Sequence, residues 1–209
     1  MRAVPSLFGA LLLCGSASAQ PAAETFKYAV VRNGDQIGTH TVELRRKDAE
    51  TSVKAETRVE VKIAFFTAYQ FRQANMEKWV NGRLVSLQAT TDDNGTPHKV
   101  EVTAGTQGLR IQADGKTATA APETVPASVW NRALVRQSTA ISLSDGSLMP
   151  IKVADKGDES IVVQGKRIKA RHYFMSGKFE QDLWYDEHDR LVQLKLKGSD
   201  GSDIFYRLL

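Results

Sequence analysis

Ser52-Val53-Lys54-Ala55-Glu56-Thr57-Arg58-Val59-Glu60-Val61-Lys62-Ile63 alternates without a break. Val53, Ala55, Thr57, Val59, Val61 and Ile63 take one set of alternate positions, and Lys54, Glu56, Arg58, Glu60 and Lys62 take the other. A helix would scatter those apolar side chains round its circumference, whereas a strand places them on one face. The other face carries charges of both signs, as a solvated sheet surface does. The segment reads as a half-buried β-strand.

Similar runs lie on either side. Residues 26–32 and 36–46 flank Asn33-Gly34-Asp35, and 69–80 and 83–90 flank Asn81-Gly82. Asn-Gly reaches positive φ cheaply, so each pair predicts a hairpin. Further strands are expected at 97–103, 108–113, 116–120, 140–144, 148–153, 159–163, 167–175, 181–185, 191–197 and 203–208. Turns at Asn94-Gly95, Asp114-Gly115, Asp145-Gly146, Gln164-Gly165 and Asp200-Gly201 separate several of them. Short connections imply that successive strands pair antiparallel as a meander.

One segment interrupts the pattern. Residues 121–137 hold Pro122 and Pro126 and then Ser128-Val129-Trp130-Asn131-Arg132-Ala133-Leu134-Val135. It reads as a loop entering a short helix, with Trp130 and Leu134 turned inward. Two quasi-repeated halves joined near 121–138 are one organisation of the chain, because Trp79-Val-Asn-Gly-Arg-Leu-Val-Ser-Leu87 echoes the stretch from Trp184 to Leu194. Two hairpins with shared turn preferences are the alternative. The expected class is all-β. Ten or more strands cannot stay flat and open, so a strongly bent antiparallel sheet or incomplete barrel with one short helix near the middle is predicted.

The N-terminus predicts export. Arg2 precedes the apolar run Leu7 to Cys14, too short to span a bilayer, and Ala17-Ser18-Ala19 supplies the small residues of a cleavage site. Residues 1–19 are expected to be a cleaved signal peptide and 20–209 a single β-rich domain in the periplasm or outside the cell. Leu13 before Cys14 argues against lipidation, and the mature chain would hold no cysteine, hence no disulfide, thiolate chemistry or cysteine metal site. The whole chain has 28 Lys+Arg against 24 Asp+Glu, and Arg2 is the only charged side chain in the signal. That mild excess lacks the clustered basic footprint of a nucleic-acid binder, and no second apolar stretch is long enough for a transmembrane helix.

Chemistry-bearing motifs are scarce. His40, His98, His172 and His188 show no ligand spacing. Asp186-Glu187-His188-Asp189 reads as a turn, and His172 as an inward core histidine. No metal and no cofactor are expected, and no nucleophile elbow or phosphate loop is present. Glu77 with Asp182 is the carboxylate pair a hydrolase reading would use. Ile63-Ala64-Phe65-Phe66-Thr67-Ala68-Tyr69 breaks the alternation with two adjacent aromatics. Either the chain bulges and both rings are buried, which is the favoured reading, or Phe65 and Phe66 form an apolar lip or contact surface. Phe65, Phe66, Tyr69 and Trp130 are the binding candidates.

Phe26-x-Tyr-x-Val with Gly34 and Gly38, Glu77-Lys-Trp79, Gly82-Arg-Leu84, Thr91-Asp-Asp-Asn-Gly95, Pro126-Ala-Ser-Val-Trp130-Asn131 and Asp182-Leu-Trp184-Tyr185-Asp186 occur in that order. Together they resemble an uncharacterised family of bacterial periplasmic β-sheet proteins known as a domain of unknown function. The resemblance implies the fold and carries no activity or site residues. Three functions follow in order: non-catalytic binding of an apolar or lipid-like ligand on a concave sheet, a structural or protein-interaction module of the envelope, and a carboxylate-dependent hydrolase. The partners expected are a lipid or an envelope protein.

Overall fold

The computed structural model describes residues 22–63 and 65–209. The expected signal segment and Cys14 lie outside these residues. The first run of strands comprises β1 (Ala22–Arg32), β2 (Asp35–Lys47), β3 (Glu50–Ile63), β4 (Phe66–Val80), β5 (Arg83–Asp93), β6 (Thr96–Gly105), β7 (Gly108–Ala113) and β8 (Lys116–Ala120). A central segment holds β9 (Val125–Pro126), a single 3₁₀ turn over Arg132–Arg136, β10 (Thr139–Ile141) and β11 (Leu148–Pro150). The second run is β12 (Lys152–Val163), β13 (Lys166–Ser176), β14 (Gln181–Tyr185), β15 (Leu191–Lys197) and β16 (Asp203–Leu208).

Both runs are antiparallel meanders, joined through β16 pairing with β1 into one thirteen-stranded sheet whose edges are β12 and β8. The expected class holds: a large antiparallel sheet that does not close. Asn33 (φ 52°) with Gly34 (φ 92°), and Asn81 (φ 51°) with Gly82 (φ 73°), turn the hairpins as their residue types require. In β3, Val53, Ala55 and Thr57 are buried while Lys54 and Arg58 are exposed, so the alternation reports the faces correctly.

The chain must return from edge β8 to edge β12, and residues 121–151 make that crossing along the inner face. Val125, Leu134, Ala140, Ile141, Met149 and Ile151 join one core with side chains from strands as far apart as β7 (Ile111) and β13 (Met175). A flat sheet could not bring both ends onto one short segment, so the sheet curls round it. The fit is close: a Cβ on Gly146 would stand 2.6 Å from Cβ of Ala113. Within the segment β9 and β10 pair parallel and β10 and β11 antiparallel.

Several details differ from the sequence-based expectation. The short helix is one 3₁₀ turn that begins after Trp130, because Asn131 caps it by accepting the Ala133 N–H at 2.9 Å. Leu134 is fully buried as expected, but Trp130 is only half-buried. The stretch 148–153 is two strands in different sheets, and β12 runs on through a bulge at Gly157, where a break was expected. Asp155 accepts the Gly157 N–H there, which lets one strand absorb its polar Asp-Lys-Gly-Asp run.

His172 faces away from the main core. Its neighbours Tyr173 and Met175 belong to the core, while His172 stacks on Trp184 (4.4 Å, 10°) over a second small apolar cluster with Ala170 and Val192. The same-face grouping with Ile168, Ala170 and Phe174 was sound, but that face is the outer one. The imidazole is satisfied by Glu159 at Nδ1 (2.7 Å) and Asp182 at Nε2 (2.8 Å).

Candidate functional site

Pairing register carries a row of inner-face residues across the sheet: Glu24, Leu44, Val53, Glu77, Leu87, Val102 and Ile111. Glu77 is the carboxylate in the middle of an otherwise apolar stretch, 3% exposed. Its Oε1 accepts hydrogen bonds from Asn75 Nδ2 (2.8 Å) and Ser128 Oγ, and its Oε2 from the indoles of Trp79 (2.8 Å) and Trp130 (3.0 Å). Burial pushes its pKa up, and the four donors oppose that without reversing it. The two indoles meet edge to face at 5.8 Å. Glu77 therefore ties the central segment to β4 and sets the plane of Trp130.

Beside Trp130 opens a cleft of about 590 Å³. Its floor is Phe26, Tyr28, Leu44, Trp130 and Leu191, the part of the inner face that emerges from under the central segment. Tyr28 is fixed by donating to the Leu191 carbonyl (2.9 Å), and Tyr185 holds the segment by donating to the Val129 carbonyl (2.9 Å). The rim carries Arg46, Arg132, Arg136 and Arg190 against Glu24 and Asp189. Arg46 pairs with Glu24, Arg132 with Asp189 and with the Tyr173 hydroxyl (2.5 Å), and Arg190 with Asp186 (2.6 Å). A second hollow of about 480 Å³ over β3 to β6 is lined by residues such as Arg72, Asp92, Lys99 and Asp114, and no Phe, Tyr or Trp side chain lines it.

The four sequence candidates are not brought together. Trp130 lines the cleft. Phe65, Phe66 and Tyr69 lie at the other end of β3, where residues 61–63 and 66–69 run beyond β2 and β5 as a two-stranded arm, rooted at Gln70, whose carbonyl accepts the Asn94 N–H (2.8 Å). Phe65 is 99% exposed and Phe66 78%, so the expectation that both rings are buried is overturned: no neighbouring strand extends far enough to cover them. Tyr69 roots the arm by donating to Asp93 (2.9 Å). Glu77 and Asp182 are on opposite faces, and Asp186 to Asp189 form the β14–β15 turn, in which Asp186 accepts the backbone N–H of His188 and Arg190. Among the described residues no three His, Cys, Asp or Glu side chains gather at metal-ligand geometry.

Sequence reasoning missed the rim arginines and the buried status of Glu77. The arginines come from three distant places in the chain, Arg46, the Arg132–Arg136 turn and Arg190, so no local pattern marks them. Glu77 left a trace: it sits in register with apolar inner-face neighbours, where the alternation of Asn75, Glu77 and Trp79 puts a carboxylate on the wet-looking side of a dry row.

Fold and cleft define a class: an open antiparallel sheet wound round its own central segment, with a cleft at one end that joins aromatic side chains to an arginine-rich rim. The sequence from residue 28 to 209 matches the family described as a domain of unknown function, DUF6134, and the chain belongs to that family. The fold resembles the crystal structure of a β-barrel-like protein of another domain of unknown function, DUF1849, from Brucella abortus. That match has a TM-score of 0.64 at 8% identity and covers 90% of this chain and 95% of the other. No curated protein matches the sequence.

Proposed function

We propose that this is a non-catalytic binding protein of the bacterial envelope, exported to the periplasm or beyond, whose cleft beside Trp130 holds an apolar or lipid-like ligand. The observation that carries the reading is the floor of Phe26, Tyr28, Leu44, Trp130 and Leu191 under an opening of about 590 Å³. Small-ligand clefts span about 300–1,000 Å³, and this one differs from the mostly apolar kind by its rim of four arginines. The site is narrower than a whole concave sheet, because residues 121–151 fill the rest of that face. Export is supported by the N-terminal sequence alone.

The test uses the full mature chain purified without detergent. Organic extracts are analysed by mass spectrometry, and the delipidated protein is titrated with the neutral apolar probe N-phenyl-1-naphthylamine. Saturable uptake is expected, and Ala133→Trp, which places an indole in the cleft, should abolish it while the fold persists by circular dichroism. No extractable lipid and no saturable uptake by the folded wild type would refute the reading.

A second reading, an interaction module that docks an envelope protein, is supported by the nearly complete exposure of Phe65 on the projecting arm. Cross-linking from Thr67→Cys in intact cells should give a discrete adduct that Phe65→Asp with Phe66→Asp removes. An unchanged pattern in that variant sinks the docking role.

A further inference from the structure

The cleft has an apolar floor and a cationic rim, and the rim is not evenly neutralised. Three of its four arginines are each held by a carboxylate: Arg46 by Glu24, Arg132 by Asp189 and Arg190 by Asp186. Arg136, in the 3₁₀ turn beside Trp130, has no hydrogen-bonded or ion-paired partner among the described residues and is exposed. A ligand entering here meets oily side chains below and one uncommitted guanidinium above. That guanidinium presents a planar fork of donors matched to a carboxylate or a phosphate.

We infer that the cleft takes a single-chain amphiphile, its alkyl chain on the Phe26–Leu44–Trp130 floor and its anionic carboxylate or phosphate head on Arg136. The inference rests on the reading of the cleft as an apolar-ligand site and adds the head-group chemistry. Neutral lipids would leave Arg136 without a partner, and cationic amphiphiles would be repelled by the rim. Arg132 is a positioning residue: its bonds to Asp189 and Tyr173 hold the 3₁₀ turn against β13 and the β14–β15 turn, fixing where Arg136 stands.

Three probes with the same chain separate the possibilities: dodecanoate, dodecyl phosphate and methyl dodecanoate, each displacing N-phenyl-1-naphthylamine from the mature protein. The two anions should bind about two- to fivefold more tightly than the ester, the scale of an exposed ion pair. Arg136→Gln should bring all three to the affinity of the ester, and Arg136→Glu should invert the order. If only one anion shows the preference, it identifies which head group the site takes. Equal binding of acid and ester by the wild type, or a preference that survives Arg136→Gln, overturns the head-group assignment and leaves the apolar cleft standing. Failure of all three to displace the probe, or failure of the probe itself to bind, overturns both.

Discussion

His40 sits on the inner face between Tyr28 and Tyr206, with ring centroids 5.5 and 5.7 Å away, and bonds to Thr57 Oγ1 at 2.8 Å. Burial lowers its pKa from 6.5 to about 4. As pH falls below 6.5 the unfolded chain takes up a proton that the folded chain refuses until about 4, so this residue's stability contribution is lost across that window. Full expression amounts to roughly 3 kcal/mol. Denaturant melts at pH 7 and pH 4.5 should show a larger acid loss in the wild type than in His40→Leu; equal losses would rule His40 out as the acid-sensitive group. Glu77 has the opposite sign. Its raised folded pKa favours the protonated form, so its contribution is present below about 4.5 and declines as pH rises through the folded value. Of its four partners the Ser128 hydroxyl can turn round, and the Asn75 amide can flip, to accept a proton's bond at Oε1, which makes that oxygen the place where a protonated carboxyl is accommodated. Glu77→Gln is therefore expected to cost no more than about 1 kcal/mol, its amide donating to Ser128 and to the flipped Asn75 carbonyl while its oxygen keeps both indoles. Glu77→Ala orphans two buried indole N–H groups and an amide and should cost at least about 3 kcal/mol. Comparable melting of the two variants would refute this account. Gly38 shows a residue visible in sequence whose reason is spatial: a Cβ there would lie 2.1 Å from the Arg58 carbonyl oxygen of the paired strand.

Two elements behave oppositely under mutation. Phe65 and Phe66 are exposed and belong to neither apolar cluster, so Phe65→Asp with Phe66→Asp should leave folding stability within about 0.5 kcal/mol of wild type. The 3₁₀ turn is short yet central: Leu134 is fully buried, and Leu134→Ala should cost about 2–5 kcal/mol. Chemical denaturation of both variants checks the contrast, and a strongly destabilised arm variant would mean the rings pack somewhere. Strand signals were legible because period-two alternation is a local property, readable wherever one face is wet. The short helix near the middle was legible too, but its limit to one 3₁₀ turn and the two-residue β9 were not, since elements this short have no period and are set by what they dock against. The outward direction of His172 was hidden for a related reason: alternation groups residues by face without saying which face becomes the inside.

At the scale of the molecule, β16 is the strand that makes one sheet from two meanders. Val30 pairs with Tyr206 and Arg32 with Ile204, while Gln193 pairs with Arg207 on the other side. Ending the chain at Lys197 should abolish cooperative unfolding, detected as loss of a single thermal transition and of near-ultraviolet dichroism. A truncated chain that melts cooperatively would show that the halves fold separately. The exposed edge β12 carries Lys152, Asp155, Lys156 and Asp158 and a bulge at Gly157, features that discourage edge-to-edge addition of a second chain. Among the described residues no helix is long and apolar enough to cross a membrane.

Alternation, Asn-Gly turns and short connections are chemistry between near neighbours, so the primary structure alone determined the class, the hairpins, the meander and the facing of residues 53 to 61. The cleft was decided in three dimensions. Glu77 meets Ser128 and Trp130 across some fifty positions, and Arg46 stands near Arg190 only because the last strand pairs with the first. Contacts of that span depend on which edge the crossing segment returns to and how far the sheet curls. Those are properties of the packed whole that no local period encodes.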